Sequence, residues 1–129
     1  MASALQSDTK KWLVEQSEGI LGRVAGKEGF GEQVSQLRNL VQIVQEESEV
    51  AVLRNFIRYQ SGRKTTQKFW SLICDDVIRT LELIEARQEL ADEVLRKAAI
   101  QQFFGYLVRH YVYLDRVRRD SKPRRGDRR

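Results

Sequence analysis

Apolar residues recur at steps of three and four along most of the chain, a period that fits helices and leaves no room for the alternation of a half-buried strand. Phe69, Ile73, Val77, Leu81 and Ile84 hold that period for roughly four turns or more, which predicts a helix over about 65–87. Ile100, Phe103, Phe104, Leu107, Tyr111 and Leu114 make a second stripe and predict a core helix near the C-terminal end. Beside it runs another line, Tyr106, His110, Tyr113 and Val117. A helix apolar over so wide an arc either sits centrally in its bundle or offers its second face to another subunit.

The remaining elements follow from the same period and from its interruptions. Trp12, Leu13, Ile20, Leu21 and Val24, behind the candidate caps Ser7 and Asp8, predict a first helix over 8–24. Gly26, Gly29 and Gly31 then mark a mobile loop. Val34, Leu37, Val41 and Val44 predict a second helix over 32–47, and Val52, Leu53, Phe56 and Ile57 a third that Gly62 ends. Residues 90–97 favour helix without deciding whether the fourth helix continues or kinks there. The expectation is an all-α, irregular bundle of about five helices in one domain over 1–118, followed by a basic tail, 119–129, disordered when unbound.

Charge is informative only once it is located. From Arg116 to Arg129 the net charge is +6 against +5 for the whole chain, so the rest sums to −1. A pI near 9.6 is therefore mostly the tail's. With 41% hydrophobic and 32% charged residues the chain reads as globular. Cys74 is the single cysteine, which rules out an internal disulfide or a cysteine-based zinc site within this chain. No apolar run reaches the roughly 18–20 residues of a membrane span and no signal-peptide pattern opens the sequence, so a cytoplasmic, membrane-free protein is expected.

Catalytic chemistry finds no foothold. His110 is the only histidine and lies on a helix among tyrosines, so it reads as a packing or interface residue together with Tyr106 and Tyr113. Cys74 falls on an apolar helix side, where a small buried hydrophobe is the simpler reading than a reactive thiol. Glu46–Glu47 and Asp75–Asp76 are adjacent pairs whose side chains point in different directions on a helix. No phosphate-cradling glycine loop occurs. The sequence implies neither an enzyme nor a cofactor nor a metal.

One stretch stands out. Between Val50 and Cys74 there is no carboxylate, while Arg54, Arg58, Arg63, Lys64 and Lys68 contribute five positive charges. Arg54 and Arg58 share a helix face, as do Lys64 and Lys68, with Gly62 turning the backbone between them. A basic surface without internal acids keeps its donors for phosphate oxygens, which points to binding along a nucleic-acid backbone. The stretch is read as having no aromatic platform for stacking bases, so sequence-specific readout is not expected.

Three short motifs extend this reading. Gln36-Leu37-Arg38-Asn39-Leu40, then Tyr59-Gln60-Ser61-Gly62-Arg63, then Phe103-Phe104-Gly105-Tyr106-Leu107 with Tyr111-Val112-Tyr113, resemble in order and spacing the small subunit of the type III-A CRISPR Csm effector complex. The resemblance spans about residues 34–118 and leaves the first helix and the tail aside. It implies a non-catalytic helical subunit that stacks in several copies beside the backbone subunits carrying the guide RNA and lines the channel where target RNA pairs. By motif position it implicates Arg38, Asn39, Gln60 and Arg63; where the family pattern leads one to expect an acid after the Gly-Arg pair, this chain has Lys64.

Together these readings place the guide RNA–target RNA duplex against Arg38, Asn39, Arg54, Arg58, Gln60, Arg63, Lys64 and Lys68. The expected partners are the two RNAs, the backbone and large Csm subunits, and further copies of the chain. The small subunit of the type III-B Cmr complex is similar in size and role. A helical protein–protein adaptor, using the broad last helix and an electrostatic tail, is the reading that needs no specific RNA binding.

Overall fold

The computed structural model describes residues 5–121, and over them the chain is all-α. Five helices follow one another: α1, Ser7–Gly22; α2, Val34–Val44; α3, Val50–Gly62; α4, Gln67–Ala86; and α5, Glu93–Asp120. The α5 helix is the hub. Both α1 and α2 lie along it, α3 packs on α4, and α4 closes the bundle against α1 and α5. The predicted stripes are the buried ones: Phe69, Ile73, Val77, Leu81 and Ile84 on α4, and Ile100, Phe103, Phe104, Leu107 and Tyr111 on α5. Among the described residues no helix is long and apolar enough to cross a membrane.

The break before α5 resolves the ambiguous segment. After Ala86 the chain turns through one 3-10 turn, Gln88–Leu90, that buries Leu90. Asp92 then caps α5, accepting from the backbone N–H of Val94 at 2.7 Å and of Leu95 at 3.2 Å, so residues 93–97 belong to the last helix. At its far end α5 runs to Asp120, two residues past the expected domain edge at 118. Ion pairs at helical spacing carry it there: Asp115 takes Arg118 at 2.9 Å and Arg119 at 3.7 Å, and Arg116 lies 3.5 Å from Asp120. The rest of the expected tail, 122–129, lies outside the described residues.

The glycine-bearing connection after α1 departs from the expectation of a mobile loop. Phe30 is fully buried, with its ring centroid 4.8 Å from that of Tyr111 and 6.5 Å from that of Phe69. The Tyr111 hydroxyl donates to the Phe30 carbonyl and accepts from the Gln33 N–H at 2.7 Å. The Arg118 guanidinium fills the space beside Gly31 so closely that a Cβ there would overlap it. Burial pushes the Tyr111 hydroxyl up to about 12 from its ordinary 10. This clamp also explains why α2 starts at Val34 and not at Glu32: Glu32 sits at φ 62° and Gln33 is held by α5.

Candidate nucleic-acid interface

Helix α3 carries three of the predicted contacts, Arg54, Arg58 and Gln60, with Arg63 and Lys64 directly after it, and its geometry divides them. Val50, Leu53, Ile57 and Gln60 form its buried face. Arg54 and Arg58 fall on one side of that face and Tyr59 on the other, since five residues at 3.6 per turn put Tyr59 about 140° from Arg54.

On the α4 side the sequence's acid-free stretch is not acid-free in space. Arg54 meets Glu82 of α4 at 3.1 Å. Lys68 lies 3.6 Å from Glu28 of the clamped loop. Two of the five cations therefore have carboxylate partners from distant parts of the chain, which corrects the reading of a patch without internal ion pairs. Arg58 and Lys64 are exposed and make no ion pair with a described residue. Both pairs are solvent-exposed, so each is a weak, salt-sensitive contact.

On the α2 side the motif residues converge. An open groove of about 620 Å³ separates α2 from α3, walled by Asn39 and Gln42 of α2 with Glu46 just beyond it, and by Phe56 and Tyr59 of α3 with Arg63 just beyond it. Arg63, directly after α3, holds its guanidinium 5.6 Å from the Tyr59 ring centroid, and its Nη1 donates to Gln60 Oε1 at 3.3 Å. The Tyr59 ring is 59% exposed. The Phe56 ring is its neighbour at a centroid distance of 6.5 Å, tilted by 47°. An exposed aromatic side chain thus stands in the stretch that was expected to offer none for stacking. Its signal was the stripe Phe56, Tyr59, Arg63 at steps of three and four.

Gln60 has a different position from the one expected of an RNA contact. It is 6% exposed. Its carbonyl accepts from Thr66 Oγ at 2.6 Å and its side-chain oxygen is shared between Thr66 and Arg63, both at 3.3 Å. Gln60 therefore builds the α3–α4 corner and aims Arg63, leaving Arg63 to face solvent.

Arg38 turns the other way along α2, into a shallow groove against Gly105, Val108 and Arg109 of α5. Gln42 borders both grooves and joins them. Further round α5, Tyr106, His110 and Tyr113 share one cleft with Val14, Ser17 and Glu18 of α1. His110 stacks on Tyr113 at 5.9 Å, its Nδ1 lies 3.9 Å from Glu18, and Tyr106 donates to Gln102 at 2.9 Å. The second line of α5 is thus partly spent on α1, and Tyr113 and Val117 are its exposed members. Cys74 is buried in the core. Among the described residues no group of three potential metal ligands gathers.

What the fold and the grooves define is a small helical bundle with an arginine- and amide-lined surface. The chain matches no protein-family model, no curated protein and no solved structure.

Proposed function

We propose that this chain is an RNA-binding structural subunit, without catalysis of its own, of a type III-A CRISPR Csm effector complex in the cytoplasm. The observation that carries the reading is the convergence of two separate motifs: Asn39 of the α2 motif and Tyr59 and Arg63 of the α3 motif wall the same groove. Arginine beside an exposed ring and free amides is the equipment of a surface that holds an RNA backbone and its bases. Arg63, Arg38, Arg58 and Lys64 supply the phosphate contacts, and the cleft at Tyr106, His110 and Tyr113 serves packing against neighbouring subunits. Arg54 and Lys68 contribute less, because binding phosphate means competing with Glu82 and Glu28.

Co-purification of the tagged full chain from its native cell tests this. The expected sample contains a short guide RNA together with larger backbone subunits and more than one copy of the chain. A sample with protein partners and no RNA would overturn the proposal in favour of a protein adaptor.

A further inference from the structure

Glu46 is out of place in a groove meant only for phosphate. It lies in the connection after α2, walls the groove, and makes no ion pair with a described residue. A carboxylate there repels a phosphodiester backbone and leaves unexplained why Arg63, in the same groove, engages Gln60 and Tyr59 and not Glu46.

The order of the lining residues answers this. From α2 the lining runs Asn39, Gln42 and then Glu46 in the connection, and from α3 it runs Phe56, Tyr59 and then Arg63 just past the helix end, away from that connection. The groove is therefore polarised, with Glu46 and Phe56 near the connection, Arg63 and Asn39 at the far end, and the Tyr59 ring between. From Asn39 to the end of α2 at Val44 is about 8 Å along the helix axis at 1.5 Å per residue, with Glu46 in the turn just beyond, a span on the scale of a single nucleotide and not of a duplex.

A cation at one end, an exposed ring in the middle and a lone carboxylate at the other end match the three parts of a nucleotide. Tyr59 stacks a base, and Arg63, already aimed by Gln60, takes the phosphate. Glu46 accepts from donors on the base edge. Of the four bases, guanine alone presents two adjacent donors, N1–H and the N2 amino group, which fit both oxygens of a carboxylate. Uracil presents one donor flanked by carbonyls that the carboxylate repels. Adenine and cytosine present one donor beside an acceptor.

We propose that the α2–α3 groove captures an unpaired guanine nucleotide of an RNA strand, stacked on Tyr59, with its phosphate at Arg63 and its Watson–Crick edge at Glu46. This rests on the RNA-binding reading and adds to it a single-stranded, base-selective contact. A base already paired in a duplex has its edge occupied and cannot enter.

Fluorescence anisotropy of the full chain with labelled RNA hexamers tests the proposal. The probes are all-uridine, all-uridine with one central guanosine, the same with one central adenosine, and the guanosine hexamer annealed to its complement. The wild-type chain should bind the guanosine hexamer about five-fold or more tighter than the uridine and adenosine ones, and annealing should remove the preference. Glu46→Gln should abolish the preference while leaving uridine binding intact. Tyr59→Ala should weaken all single strands about five-fold or more, and Tyr59→Phe should not. Glu46 and Tyr59 are exposed, so thermal melts of these variants should overlay the wild type's.

RNA binding that ignores the central base, or that survives Tyr59→Ala unchanged, overturns the guanine site and leaves the RNA-binding reading standing. Absence of RNA binding in the wild type overturns both. Loss of a protein partner from Tyr59→Ala complexes, with RNA affinity kept, would assign the groove to a partner helix and overturn the proposal as well.

Discussion

The two sides of α3 carry the same kinds of residue and end in different states. Toward α4, Arg54 meets Glu82 and Lys68 meets Glu28, so positive charge is partly cancelled. Toward α2, Arg63 rests on Tyr59 and Gln60 in an open groove and keeps its charge for an external partner. The difference teaches that cations adjacent in sequence stay unpaired only where the fold leaves every carboxylate outside ion-pair reach: Glu46 walls the same groove as Arg63 and forms no ion pair with it. Stacking on a ring can then hold a guanidinium in place without neutralising it.

Perturbations of the scaffold beneath both sides should have the largest effects, and they provide the control for that comparison. Tyr111→Phe leaves the Phe30 carbonyl and the Gln33 N–H without their partner, so it should cost about 3 kcal/mol of stability in denaturant titrations. The same hydroxyl predicts an alkaline response. Its folded value, about 12, stands above the ordinary 10, so its contribution is complete below pH 10 and is lost as pH rises through about 12. Melts at pH 9 and pH 11.5 should show a fall for the wild type that is smaller in Tyr111→Phe.

Gln60→Ala comes next, because it sharpens the comparison at the corner where the sides meet. Thr66 keeps its stronger bond to the Gln60 carbonyl, so the expected loss is about 1–2 kcal/mol, read as a lower melting temperature. RNA affinity should fall as well, since Arg63 loses the acceptor that aims it. A Gln60→Ala protein as stable as the wild type would show that this side chain is not part of the corner.

The smallest effect belongs to the Arg54–Glu82 pair. A double-mutant cycle with Arg54→Ala and Glu82→Ala should give a coupling of about 0.2–1 kcal/mol that shrinks in high salt, as expected of two exposed partners. A coupling above that range would mean a buried, structural ion pair and would sharpen the contrast with Arg63 further.

The fold was legible in the sequence because its evidence is local: an unbroken period of three and four names the helices and their buried faces, as Phe69 to Ile84 and Ile100 to Tyr111 do. What escaped depends on contacts between distant residues. Phe30, one apolar residue among glycines, turns a loop into a clamp only because Tyr111 and Phe69 receive it. The start of α2 moved for the same reason. Glu82 and Glu28 lie outside the acid-free stretch in sequence and beside it in space. Asn39, Gln60 and Arg63 stand out in the sequence by their motifs and line one groove, but the burial of Gln60 and the exposure of Tyr59 depend on how α2, α3 and α4 meet.

The most direct measurement compares the two sides by their response to salt. RNA affinity of the full chain, Arg63→Ala and Arg54→Ala is measured by anisotropy across a range of potassium chloride concentrations. Arg63→Ala should bind more weakly and lower the slope of log affinity against log salt by about one unit, and Arg54→Ala should change both by clearly less. The account is contradicted if Arg54→Ala carries the loss of affinity and slope while Arg63→Ala matches the wild type.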